Sequence, residues 1–378
     1  MAIPRSELNF DKAVNYHYDD FPPQSLDYAK IIDPLARATA ALARYDQMLK
    51  NMHNSEILLA PLRNQEAIIS SRMEGTVSTM DEILRYEADH DETDENSSTT
   101  RAEVVETIMY QRTLKEAQYE IERGKKISDF LIRSMHGKLL SLGRGAEKSP
   151  GQYKTEQNYV VDKTKRNVLF VPVSPEKLTD GMQNLLRYIE EDKTQILLKT
   201  AIAHVEFEAL HPFKDGNGRL GRMIITLMLW TAGVISAPHF YVSGYLEEHK
   251  DSYIDSMKEV SADGLWTQWC VFFLETLEKQ AVRNLKIAED INRLYEEMKT
   301  VFAEKLGTRW HIKALDFIFT YPYFRNNKFT GTGGIPTSTA MRFTRILIEN
   351  KLLKTLEEAS GRRPALYAFE PLVKLLRV

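Results

Sequence analysis

The chain has 378 residues, 43% hydrophobic and 27% charged, with a net charge of −3, which is the composition of an ordinary soluble protein of two or three domains. Its one cysteine, Cys270, lies in the apolar run WTQWCVFFL and reads as a core residue, so no internal disulfide is expected. MAIPRSELNFDK lacks the apolar segment of a signal peptide and no apolar run reaches the roughly 18 residues of a membrane helix, so a cytoplasmic protein without a membrane partner is expected.

In chain order, residues 1–27 carry few periodic apolar positions and include FPPQ, which predicts an extended arm. Residues 28–50 read as an Ala/Leu-rich helix, kinked or started at Pro34, and a second helix runs from about 55 to 73. The acidic stretch 87–100 predicts an exposed loop. Helices follow at about 101–123 and 128–141. In SPGQYKTEQNYVVDKTKRNVLFVPVSP the two β-prone runs NYVV and VLFV flank the polar DKTKRN, which predicts a hairpin at 159–171. Helices resume at 176–191, 196–210, 219–232, 246–260 and 264–304.

The last segment, 305–378, holds 13 Lys/Arg against 5 Asp/Glu, a basic module on an acidic body. IKALDFIFTYP predicts a short helix. IPTSTAMRFTRILIENKLL predicts a second, opened by Pro336 with Thr337 and Ser338 in its first turn. KTLEEASGRRPALYAF reads as strand, turn and strand with Gly361-Arg362-Arg363 at the tip. This is the layout of a winged helix-turn-helix, in which Arg342 and Arg345 share one helix face and could reach DNA. The same module could instead pack on the rest of the chain or bind a partner protein.

The centre of the chain is 204–222, HVEFEALHPFKDGNGRLGR. Gly216 and Gly218 permit positive φ and a concavity of N–H groups at the start of a helix, a setting that favours phosphate. Asn217 offers an amide donor. Arg219 and Arg222 share a helix face and offer guanidinium forks. Asp215 at the lip is a carboxylate placed for Mg²⁺ shared with phosphates. His211 is the side chain that can exchange a proton near neutral pH. Read without a ligand, the stretch is a helix–loop–helix with solvated arginines.

HPFKDGNGRLGR resembles the full signature of the Fic family, HxFx[DE]GNGRxxR, through His211, Phe213, Asp215, Gly216, Asn217, Gly218, Arg219 and Arg222. The resemblance implies a mainly α fold: an all-helical core with a small β-hairpin flap, here followed by the winged helix-turn-helix. The expected division is an N-terminal helical region over 1–100, the catalytic core over 101–260, a linking helix over 261–304 and the winged helix over 305–378. It also implies transfer of AMP from ATP, with Mg²⁺, to a Ser, Thr or Tyr hydroxyl of a target protein or of the chain itself. His211 would be the base, Phe213 the apolar anchor and Asp215 the Mg²⁺ ligand. The run from Gly216 to Arg222, with Leu220 and Gly221, would hold the phosphates. Tyr253, or Tyr245, would meet the nucleoside.

Ser70-Ser71-Arg72-Met73-Glu74-Gly75 ends the second helix. By charge alone Glu74 is an ordinary exposed residue at a helix end, with Gly75 as the cap. Yet Ser70, Glu74 and Gly75 resemble the family's inhibitory motif [ST]xxxE[GN], which implies that Glu74 pairs with Arg222 where the γ-phosphate would lie. A homodimer that relieves inhibition by subunit exchange is compatible with this. The hairpin falls where the family has its flap, which takes the target as an added strand. PGQYK resembles the family's PGxYR with Lys154 in place of Arg.

Three alternatives stay open. His204, Glu208 and His211 lie at i, i+4 and i+7, the ligand spacing of a metal hydrolase. The chain could be a DNA-binding regulator that only senses nucleotide. Or it could be a Fic enzyme that removes AMP.

Overall fold

Two long helices frame the molecule, α1 (Tyr28–Asn51) and α11 (Trp266–Leu306). The computed structural model describes residues 8–52, 54–90, 100–162, 164 and 166–377. α1 buries Ile31, Ala38, Leu42, Tyr45 and Leu49, and α11 buries Trp269, Phe273, Leu277, Ala281 and Ala288, each along one helical stripe. Each such side chain contributes roughly 1.5–3 kcal/mol on burial. α1 begins at Tyr28, capped by Asp27, and carries Pro34 inside it, so the helix does not start at that proline.

Within this frame α7 (Ile196–Leu210) and α8 (Asn217–Thr231) form a helical hairpin. α7 is buried on nearly every side because its sequence is apolar all round. Around the pair stand α2 (Ser55–Met73), α4 (Ala102–Glu122), α5 (Asp129–Leu139), α6 (Pro175–Glu191), α9 (Ser243–Glu248) and α10 (Lys250–Asp263). α3 (Met80–Asp89) was not expected, although Thr79 and Glu82 form a capping box in which each side chain meets the other's backbone N–H. α3 also claims the first residues of the expected acidic loop. Positions 91–99 of that loop lie outside the described residues. Among the described residues no helix is long and apolar enough to cross a membrane.

The hairpin forms as β2 (Val160–Val161) and β3 (Val168–Val171), antiparallel. The N-terminal arm is more than an extended tail. It supplies β1 (Val14–Asn15), parallel to β3 with Val14 opposite Phe170. Just beyond β1, Tyr16 donates to Glu206 Oε1 (2.7 Å) and His17 Nε2 meets Glu206 Oε2 (2.9 Å). Glu206 lies on α7 and is fully buried, so the arm is tied to the helix that leads into the site.

The C-terminal segment runs α12 (His311–Thr320), β4 (Tyr323–Arg325), α13 (Asn326–Thr332), α14 (Thr337–Glu349), β5 (Lys354–Glu357), β6 (Leu366–Ala368) and α15 (Glu370–Leu376). The sequence reading lacked β4, α13 and α15. The strands form one antiparallel sheet in the order β4-β6-β5. This unit sits on α3. Tyr323 donates to Asp81, Arg377 reaches Asp81 (3.0 Å), and Arg325 joins Asp89 (2.6 Å) to Glu357 (2.8 Å). Arg363, in the turn between β5 and β6, is also held there, 3.1 Å from Asp89. Arg342, Arg345 and Arg362 are exposed.

Glu206→Ala would leave the Tyr16 hydroxyl and His17 without their buried acceptor. We expect a loss of about 3 kcal/mol in chemical denaturation, with Glu206→Gln retaining part of it. Unchanged stability in the alanine variant would show that the arm adds nothing to the fold.

Candidate active site

The link between α7 and α8 is held by its carbonyls. Lys154 Nζ donates to Leu210 O (3.0 Å), and the Lys154 N–H to Pro212 O (2.8 Å). Asn158 Nδ2 donates to His211 O and Phe213 O (both 3.0 Å). Asn217 closes the loop on itself, accepting from Phe213 N (2.9 Å) and donating to Phe213 O (2.8 Å). His136 Nδ1 accepts from Gly151 N (2.8 Å), so its Nε2–H donates to Asp215 O (3.0 Å). Its ring stacks on the fully buried Phe213 at 3.7 Å. Burial pushes the His136 pKa down to about 4, which keeps it in this neutral, two-handed form.

With the carbonyls turned away, the N–H groups that open α8 are left to face a ligand. Gly216 takes the left-handed conformation (φ 78°), and among the described residues no side chain caps the helix start. Gly218 does not share that conformation, contrary to expectation; it is helical. Its reason is space, because a Cβ there would stand 2.3 Å from Glu74 Oε1. The Asn217 side chain is turned to the loop itself, with Oδ1 and one Nδ2–H on Phe213. Leu220 is fully buried in the core rather than turned to a ligand. Gly221 makes room for Glu208, whose Oε1 would lie 2.4 Å from a Cβ.

A cavity of about 720 Å³ opens beside this loop, lined by Glu74, His211, Gly218, Arg222, Tyr253 and the flap strands. His211 caps α7 in the left-handed region (φ 46°). Its Nδ1–H donates to Glu208 O (3.3 Å), which leaves the Nε2 lone pair for a substrate proton. Burial, helped by the Lys154 ammonium, pushes its pKa down to about 4. Burial also pushes Lys154 down to about 7.

Arg222 is 2% exposed. Its Nε donates to Ser70 Oγ (2.8 Å), and its Nη2 to Ser70 O (2.9 Å) and Glu74 Oε1 (2.8 Å). Burial disfavours both charges, but their attraction outweighs it, holding Glu74 below and Arg222 above the ordinary range. Gly75 (φ 84°) ends α2, with the Gly75 N–H on Arg72 O and the Thr76 N–H on Ser71 O (both 3.0 Å). Glu74 is thereby placed past the last turn and inside the cavity. Arg219 meets Asp215 at 3.2 Å, while its buried Nε and Nη1 have no partner among the described residues. A guanidinium in that state is fitted for an anion.

Tyr253 lines the cavity, but its hydroxyl is 2.7 Å from His204 Nε2. Tyr245 is elsewhere, stacked on His249 with Arg283 over its ring. The metal-ligand reading of His204, Glu208 and His211 is not supported. No group of three or more His, Cys, Asp or Glu among the described residues could hold a metal ion. Burial keeps His204 neutral, at about 3, and raises Glu208 to about 8. The sequence reading missed His136 and Asn158. Nothing local marks His136, whereas Asn158 stands at the head of the NYVV run that was singled out.

Residues 32–119 match the Fic/DOC family N-terminal model and residues 126–229 the Fic/DOC family model, together just over half of the chain. The chain belongs to the Fic/DOC family. A probable protein adenylyltransferase of Aquifex aeolicus is 26% identical over 211 residues, which is 54% of this chain and 57% of the relative. The protein adenylyltransferase fic-1 of Caenorhabditis elegans is 30% identical over 105 residues, 27% of this chain and 19% of its own length. The chain thus spans less than two thirds of these curated relatives. The crystal structure of a Fic family protein from Desulfovibrio desulfuricans G20 shares the fold with a TM-score of 0.58 at 17% identity, covering 92% of this chain and 98% of that one.

Because His211 is held neutral, its imidazole should titrate far below the ordinary 6.5. We expect an NMR titration of the labelled ring, assigned by its loss in His211→Ala, to give a midpoint of about 4. A midpoint near 6.5 would place the ring in open water.

Proposed function

We propose that the chain transfers AMP from ATP to a Ser, Thr or Tyr hydroxyl of a protein, itself included, and that Glu74 restrains the transfer. The observation that carries this is the Glu74–Arg222 pair standing in one cavity with a neutral His211 and the open start of α8. The triphosphate would lie along that helix start, with Arg219 and Arg222 on its outer phosphates. His211 Nε2 would take the proton of the attacking hydroxyl as its oxygen bonds the α-phosphorus and pyrophosphate leaves. The flap would present the target as an added strand on β2. Asp215, 43% exposed at the lip, suits Mg²⁺, which binds through few protein oxygens plus substrate phosphates. Once bound, the ion would neutralise and orient phosphate oxygens.

While Glu74 holds Arg222, the outermost phosphate lacks its guanidinium, so ATP binds without its productive geometry. Inhibition is then a competition of a carboxylate and a phosphate for one cation.

Incubation with ATP labelled at the α-phosphate should label protein, and labelling at the γ-phosphate should not. His211→Ala should lower the rate by ~10²–10⁴-fold with the fold retained. Wild-type rates in that variant would remove His211 as the base.

Glu74→Gly should raise self-labelling, and Arg222→Ala should not, since it removes the phosphate ligand with the inhibitory contact. Equal or lower labelling in Glu74→Gly would reduce Glu74 to a helix-end residue.

A further inference from the structure

The C-terminal segment carries a helix face that the rest of the molecule leaves open. α13 and α14 are joined by the four residues 333–336, Gly-Gly-Ile-Pro, and the β5–β6 hairpin follows α14. Two helices joined by so short a glycine-bearing turn form a helix-turn-helix, a unit whose second helix is the one that enters DNA. α14 buries Ala340, Phe343, Thr344 and Leu347. Its other side carries Thr337, Ser338, Met341, Arg342 and Arg345, all exposed. Met341 is 57% exposed in the middle of this polar stripe.

The cations of the segment divide into two groups. Arg325, Arg363 and Arg377 are tied to Asp81 and Asp89 of α3. Those around α14 are not. Arg342 Nη2 donates to Leu306 O (3.3 Å), which sets the end of α11 beside α14. Lys313 Nζ reaches Gly334 O (3.5 Å), which sets the start of α12 beside the turn before α14. Lys305, Arg309 and Lys313 are exposed on these two elements. None of these three, nor Arg342, has a carboxylate partner among the described residues. Arg345 has Glu349 at 4.0 Å, with both side chains largely in water, a pair of little energetic weight. Against these five cations, stretches 304–313 and 337–349 carry only Glu304 and Glu349, in a chain whose net charge is −3.

From these observations we infer that the C-terminal segment binds duplex DNA, with the exposed stripe of α14 in the major groove. At about 1.5 Å of rise per residue, Thr337 to Arg345 spans about 12 Å, the height of three or four base pairs. Arg345 reaches base edges, and Met341 supplies the apolar contact that a thymine methyl group takes. Lys305, Arg309 and Lys313 flank the helix and take phosphates, which position the groove without reading it. A protein partner fits the face less well: a stripe with one large apolar side chain among cations lacks the charge-depleted centre of a protein interface. The inference does not depend on the transferase reading of the other site.

The test is fluorescence anisotropy of a labelled, mixed-sequence duplex titrated with the full chain. We expect binding at about 50 mM salt that weakens as salt rises, with a log–log slope of about −0.9 for each phosphate neutralised. Arg342→Glu with Arg345→Glu should weaken it about tenfold or more. Both side chains are exposed, so the melting temperature of that variant should hold. Lys30→Glu with Lys126→Glu makes the same change of charge at exposed positions of other helices and should cost far less. Unlabelled duplex should displace the probe at lower concentration than a single strand of the same sequence. Equal displacement would mean attraction of charge without a groove and would overturn the placement of α14. Equal loss in the two double variants would do the same, and wild-type binding by Arg342→Glu with Arg345→Glu would move the contact to another face. No binding at about 50 mM salt would overturn the proposal and leave the face to a protein partner.

Discussion

A guanidinium at the heart of a protein must be surrounded by oxygen. Arg222 is 2% exposed, and its partners come from a helix some 150 positions earlier: the Ser70 hydroxyl and carbonyl and the Glu74 carboxylate. Taking a charge from water costs several kcal/mol unless it is paired. Arg222 therefore fixes where the end of α2 must lie, and through α2 the placement of α3 and the C-terminal unit upon it. The same cation is the natural counterpart of a phosphate. The fold and the proposed restraint thus share one charge.

Around that charge the loop is built by subtraction. Lys154, Asn158, Asn217 and His136 each remove a carbonyl from the surface of the site, and what remains is donors. Two of these four, Lys154 and His136, have their charge disfavoured by burial, which keeps His136 neutral and brings Lys154 down to about 7. The positive character of the site comes from its two arginines and the helix start, with Lys250 and Lys258 also lining the cavity.

How much of this could be read in the sequence depends on the range of each interaction. The motif from His211 to Arg222 was legible because its parts act within one turn and one helix start. The helices were legible from their periodicity, and Gly75 as a cap from its place after Met73. The contact of Glu74 with Arg222 was legible only by resemblance, since a glutamate at a helix end carries no mark of an arginine 148 positions away. His136 and β1 depend on partners that only the fold brings near. Gly218 shows a subtler limit: the residue was singled out, but for backbone freedom, whereas the structure uses its missing side chain. The short β4 and α13 were hidden because a three-residue strand and a seven-residue helix carry too few positions to show a period.

The arm strand β1 has a consequence for the flap as a surface. By covering one side of β3, it leaves the three-stranded sheet, ordered β1-β3-β2, with β3 paired on both sides and with β1 and β2 as its borders. At two residues, β2 is also too short to template a long intermolecular ladder, which is how natural sheets keep an open border from recruiting copies of themselves. Both border strands are two residues long, so the sheet offers little open backbone on either side.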